Sequence, residues 1–242
     1  MKPRRLPRAL SHDAVTRHST RAALATLVAL LIPNPLLPAD AVQWVDGVVE
    51  LIENGQPIPG AGGAVISYEP EGGAPRPAPR AVEIDTREKR FIPRVTAVPL
   101  GSSVGFPNRD PVFHNVFSVS PANRFDLGRY REGERRATRF DKPGLVRIYC
   151  NVHEQMVAYI MVVETPHYAI AGEDGQFRLA SVPEGRGTLT IWHERAGMQR
   201  LPIEVPPLAP IRVRLEAARS RDVPHLNKFG RPYGTEQDAS YR

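Results

Sequence analysis

A thiol, an imidazole and a thioether fall within seven residues in Cys150-Asn151-Val152-His153-Glu154-Gln155-Met156, and a second imidazole, His114, lies 36 residues upstream. Two imidazoles and a thiolate in a plane, with a weak thioether on the axis, make the trigonal site of blue (type 1) copper. Thiolate and thioether favour Cu(I), while imidazole suits both oxidation states. A site between these preferences limits reorganisation when an electron moves. Zinc is the alternative metal, but one thiolate with a thioether is a poor zinc set. Taken singly, each residue has a plainer reading: His114 a turn residue, His153 a solvated loop residue, Met156 core filler, Cys150 a small buried hydrophobe. Their conjunction around the only cysteine of the chain favours one copper ion.

Such a site needs strands to hold it. Leu145 to Tyr149 reads as a strand after the Lys142-Pro143-Gly144 turn. Side chains alternate along a strand, so Val146, Ile148 and Cys150 share one face and Arg147 and Tyr149 the other. Cys150 thus ends a core-facing row, with His153 and Met156 in the loop that follows. His114 opens a strand predicted over 114–119, which clamps the site from a second element. Further strands are predicted over 45–51, 64–68, 91–98, 103–106, 136–140 and 157–163, with 124–136 polar and irregular. The pattern restarts at Tyr168, with strands over 177–179, 188–192, 201–205 and 211–215 around the turns Glu173-Asp174-Gly175 and Val182-Pro183-Glu184-Gly185. Pro70 to Pro79, with four prolines, reads as an extended linker. Beyond Glu216 the chain is polar and without periodicity, and is expected to be disordered or draped.

Composition agrees with short strands and many turns: 242 residues carry 25 prolines and 19 glycines. The net charge of +6 is concentrated at the start, where six basic residues precede position 42 against Asp13 and Asp40. The remainder has 26 basic and 24 acidic residues, which gives no electrostatic footprint for nucleic acid. Residues 1–41 read as a signal peptide: a basic start, an apolar run from Ala22 to Ile32, and a small-x-small site at Ala39-Asp40-Ala41, with cleavage after Ala41. Eleven apolar residues are too few to span a bilayer, so no stable membrane insertion is expected. Arg4-Arg5 raises twin-arginine export, although the residues around the pair match it poorly. The mature chain is expected to be periplasmic or secreted. A lone thiol in an oxidising compartment is open to oxidation or intermolecular pairing, and a metal would protect it.

Phe106-Pro107-Asn108-Arg109-Asp110, His114-Asn115-Val116-Phe117-Ser118, Phe125-Asp126-Leu127 and Cys150-Asn151-Val152-His153 resemble the cupredoxins, with a short ligand loop most similar to amicyanin and plastocyanin-like proteins, and specifically those described as methylamine utilization proteins. The resemblance covers about residues 81–165. It implies an all-β Greek-key sandwich with His114, Cys150, His153 and Met156 as copper ligands. It also implies that the backbone amide and side chain of Asn115 steady the thiolate and the ligand loop. Glu154 departs from the proline common in related loops, which bears on copper affinity and potential. Asp174-Gly175-Gln176-Phe177 with Val182 to Gly185, and Gly55-Gln56-Pro57-Ile58-Pro59-Gly60-Ala61, resemble a small carboxypeptidase-regulatory (transthyretin-like) sandwich. Residues 42–70 and 166–216 would be its two parts, with 71–80 a linker, 81–165 an inserted cupredoxin domain and 217–242 a disordered tail. The alternative makes 42–70 extra strands on the cupredoxin itself.

The function these features favour is carriage of single electrons between redox protein partners by an exported type 1 copper protein. Periplasmic copper storage or delivery, or a non-redox envelope-binding module, are the alternatives. Storage usually shows exposed Met/His-rich sites, and after position 41 the chain has only Met156, Met161 and Met198. No paired carboxylates, nucleophile triad or open metal site points to an enzyme. His167, His193 and His225 have no accompanying ligands in the sequence and read as structural.

Overall fold

The computed structural model describes residues 43–218 and 225–233; residues 1–42, which hold the expected leader, and the stretches 219–224 and 234–242 lie outside the described residues. Among the described residues every regular element is a strand. No described helix is long and apolar enough to cross a membrane.

The strands build two sandwiches. In the central one, β7 (Val95–Pro99), β9 (His114–Ser118), β10 (Phe125–Tyr130), β12 (Gly144–Cys150) and β13 (Val157–Val163) form a five-stranded sheet in the order β10-β9-β12-β13-β7. The facing sheet has β11 (Arg135–Arg139), β8 (Ser103–Pro107) and β4 (Ala81–Glu83). After the β9–β10 hairpin the chain crosses to β11 in the other layer, then returns as β12 beside β9, the connectivity of a Greek key. The core between the layers takes alternate residues of each strand, among them Val104 and Phe106 of β8, Val146 and Ile148 of β12, and Ala158 and Ile160 of β13. A small hairpin of β5 (Asp85–Arg87) and β6 (Arg90–Ile92) caps one end.

Two stretches differ from the sequence-based expectation. The run 91–98 is interrupted, because Pro93 has no N–H to give a ladder and separates β6 from β7. Residues 124–136 are not irregular throughout: β10 pairs with β9, and its register shifts between Asp126 and Arg129, around Gly128 at positive φ. That bulge breaks the period-two pattern that would have marked the strand.

The flanking sandwich joins residues from both ends of the described chain. β1 (Val45–Glu53) pairs antiparallel with β15 (Gln176–Leu179) and parallel with β18 (Ile211–Glu216). β2 (Gln56–Ile58) returns on β1 through Asn54-Gly55, both at positive φ, as a two-residue primed turn requires. In the second sheet β3 (Val65–Pro70) lies between β14 (Tyr168–Ile170) and β16 (Gly185–His193), with β17 (Gly197–Val205) outside. Strands from 45–70 therefore pair with strands from 168–216 and with none of the central sheets. Gly47 is required where it stands: a Cβ there would lie 2.5 Å from the Phe177 ring and the Ile211 carbonyl.

β13 is buried along both faces apart from its first residue. Ala158, Ile160 and Val162 enter the central core, whereas Tyr159, Met161 and Val163 pack with Val65 and Trp192 of the flanking sandwich. Tyr159 and Trp192 meet at 5.1 Å between ring centroids, and Arg94 forks onto the Glu194 carboxylate at 2.8–3.1 Å beside them. One strand thus serves two cores, and the site-bearing sheet is braced from behind.

Candidate metal centre

The ligand loop is short because its ends are tied. The Cys150 N–H donates to the Met156 carbonyl (3.2 Å), and the Met156 N–H to the His153 carbonyl (3.1 Å). Cys150 completes the inward row of β12 as the strand register predicts, and is fully buried. β9 lies alongside, with Cys150 opposite Val116, so His114 at the start of β9 comes level with the loop. Every residue of β9 is buried, with β10 and β12 on either side of it.

His114, Cys150 and His153 converge. The Cys150 Sγ lies 3.6 Å from His114 Nδ1 and 3.7 Å from His153 Nδ1, and the three donor atoms all lie within 4.8 Å of one another. A metal bonded to nitrogen at about 2.05 Å and sulfur at about 2.3 Å, with tetrahedral to trigonal angles, sets S···N separations of roughly 3.6–3.8 Å. The observed separations match that span. Met156 is fully buried in the same apolar cluster as Cys150. Among the described residues this is the one group of three or more Cys, His and acidic side chains able to hold a metal ion.

The residues around the donors fix their chemistry. The Asp110 carboxylate accepts from His114 Nε2 (2.8 Å), so the ring carries its proton there and offers the Nδ1 lone pair toward Cys150. Asp110 also accepts the backbone N–H groups of Glu88 (2.6 Å) and Lys89 (2.9 Å), the two turn residues of the β5–β6 hairpin. Both turn residues have positive φ without being glycine, a conformation that persists only where the surroundings hold it. Burial pushes the Asp110 carboxyl up, but the Lys89 N–H, the His114 ring and the Glu88 N–H outweigh it and hold the group below the usual range.

Burial lowers the His114 ring against the raising effect of Asp110, and burial with the neighbouring His114 lowers His153 to about 4. Both rings are therefore neutral near pH 7, as metal ligands must be. Burial pushes the Cys150 thiol up, opposed by the backbone amides of Asn115, Val152 and His153, which point at the sulfur. The backbone of Asn115 meets the implied role, while its side chain turns away from the loop. Its amide faces Cys150, its carbonyl accepts the Asn151 N–H (3.0 Å), and its side chain donates to Asp126 (2.6 Å).

Sequence reasoning missed Asp110, whose signal was the Asn108-x-Asp110 turn: the Asp110 N–H donates to Asn108 Oδ1 (2.9 Å). The tail, expected to be disordered or draped, is draped over 225–233, and its place was not foreseen. Residues 225–233 lie against the ligand loop, and the His225 ring stacks on Tyr149 at 4.2 Å. Among the described residues the remaining histidines are held by protein groups: His193 Nδ1 accepts the Arg195 N–H (3.2 Å), and His167 Nδ1 lies 3.4 Å from the Ala180 carbonyl.

No protein-family model matches the chain, and no curated protein matches it. Several solved structures are similar to part of it. One is a purple cupredoxin from Nitrosopumilus maritimus, 23% identical, covering 34% of this chain and 99% of that one with a TM-score of 0.31. A second is amicyanin from Paracoccus versutus, 22% identical, covering 34% and 81% with a TM-score of 0.32. A third is the copper-containing nitrite reductase of Thermus scotoductus, 24% identical, covering 47% of this chain and 28% of that one with a TM-score of 0.33.

Proposed function

We propose that the chain is an exported type 1 copper protein that carries single electrons between redox protein partners, with His114, Cys150, His153 and Met156 as the residues that would hold the ion. The observation that carries this reading is the convergence of two imidazole Nδ1 atoms on the only thiol, at the separations a shared metal sets. Copper bound there supplies a one-electron couple. The protein's part is to hold the donors still: β9 and β12 fix His114 and Cys150 from neighbouring strands, and Asp110 fixes the tautomer of His114. Donors held in place by a buried scaffold change little between oxidation states. Four protein ligands around one ion leave no position for a substrate, which favours a carrier over an enzyme.

The domain division follows the strand pairing: residues 42–70 and 166–216 as one discontinuous, carboxypeptidase-regulatory-like sandwich, with 81–165 inserted through the 71–80 linker. Pairing of β1 with β15 and β18, and of β3 with β14 and β16, supports it. Adding Cu(II) to the purified protein tests the copper assignment. The expected result is an intense blue absorption at one copper per chain, bleached by reductant and restored by oxidant. A colourless protein that retains its copper refutes a type 1 site.

A further inference from the structure

Residues 225–233 take no part in ligation, yet their polar groups are directed at the backbone and scaffold of the ligand loop. The segment carries its own turn. Asn227 Oδ1 accepts the N–H groups of Phe229 (3.0 Å) and Arg231 (3.1 Å), the Gly230 N–H donates to the Asn227 carbonyl (2.9 Å), and Gly230 adopts a φ of +75°. This turn presents Lys228. Its N–H donates to Asn151 Oδ1 (2.8 Å), and its ammonium donates to Asp126 Oδ2 (2.7 Å), with the side chain only 11% exposed. The other oxygen of Asp126 accepts from Asn115, the residue whose amide faces the sulfur. Tyr233 donates its hydroxyl proton to the Cys150 carbonyl (2.9 Å), and His225 Nε2 donates to the Glu154 carbonyl (2.7 Å) while stacking on Tyr149.

Loop residues 150, 151 and 154 are therefore each held by the segment, and the Asp126–Asn115 pair is joined to it from below. We propose that residues 225–233 are a strap that locks the ligand loop, with Lys228 and Tyr233 as positioning residues of the copper site and the strap governing access to the Cys150 thiol. The effect on the metal rests on the copper reading; control of thiol access does not. Cys150 is buried under its own loop, so a reagent reaches the sulfur only when the loop lifts, and the loop lifts only when these bonds break.

The test uses the full chain, copper-free, and follows disulfide exchange of Cys150 with 4,4′-dithiodipyridine under native conditions. Lys228→Met with Tyr233→Phe is expected to label about ten-fold faster or more, since two bonds that must open have been removed. Its unfolding midpoint in urea should stay near that of the wild type. Should the double variant fail to fold, Tyr233→Phe alone, which deletes one hydroxyl, is expected to label severalfold faster. On the copper-loaded protein the same substitutions should shift the reduction potential, whereas Arg200→Ala, on the outer strand β17, should not. Labelling at the wild-type rate overturns the strap, as does faster labelling that merely tracks a loss of global stability. A wild type that stays colourless with Cu(II) removes the copper reading alone, and the labelling comparison still decides the strap.

Discussion

Asp110→Ala removes one carboxylate and leaves three donors without their acceptor. The His114 Nε2–H is fully buried, so its desolvation is uncompensated and costs about 1–3 kcal/mol. The N–H groups of Glu88 and Lys89 are on an exposed turn, where water replaces the carboxylate, and each loss is worth about 0.5–1 kcal/mol. Together the copper-free protein should lose about 2–5 kcal/mol, read from urea unfolding. With its ring no longer held in one tautomer and orientation, His114 should also bind the metal about 10–100-fold more weakly, measured by competition with a Cu(I) chelator. Asp110→Asn keeps a carbonyl that can accept from Nε2–H, so it should retain most of the affinity while losing part of the stability. If copper-free Asp110→Ala unfolded within about 0.5 kcal/mol of the wild type and bound copper equally well, the carboxylate would be neither brace nor orienting group.

Four further outcomes follow from the contacts described above. Cys150→Ser should abolish the blue absorption while the far-ultraviolet circular dichroism of the β-fold is unchanged, and retained colour would sink the ligand assignment. His153→Ala should slow reduction by a partner more than Arg135→Ala does, because Arg135 is already paired with Glu83 (2.7 Å). Arg131 and Arg139 are likewise paired, with Glu134 and Asp141, so stopped-flow rates should depend only weakly on salt; a steep dependence would refute local neutralisation of this stretch. Trp192→Ala should destabilise the protein by about 3–5 kcal/mol and spoil the Tyr159 contact, because Trp192 is 4% exposed at the junction of the sandwiches. Denaturant unfolding that left the central sandwich unaffected would mean the two cores are independent.

The candidate donors were legible because they are local: three of the four lie within seven residues, and their types alone restrict the metal they could hold. Strand alternation placed Cys150 inward for the same reason, since the period of two depends only on neighbours along the chain. The run Val157 to Val163 was read as a strand, and β13 is one, buried on both faces after its first residue, but nothing in that run says which residues cover its second face. The same gap explains Tyr149. Alternation put it opposite Cys150, where a one-sided strand would leave it wet, yet it is 6% exposed because Phe117 and His225 cover it, the latter from far along the chain. Asp110 sits in the Asn108-x-Asp110 turn, but its second task depends on a hairpin more than twenty residues before it. Asn227-Lys228-Phe229-Gly230 carried a readable turn signal too, while the destination of Lys228 did not. An ammonium that is mostly withdrawn from water needs a carboxylate close by, and only the fold brings Asp126 to it. What a single sequence leaves out is thus long-range complementarity, and around this site it takes one form: residues that never touch the metal, drawn from a hairpin before it and a tail after it, hold still the few that would.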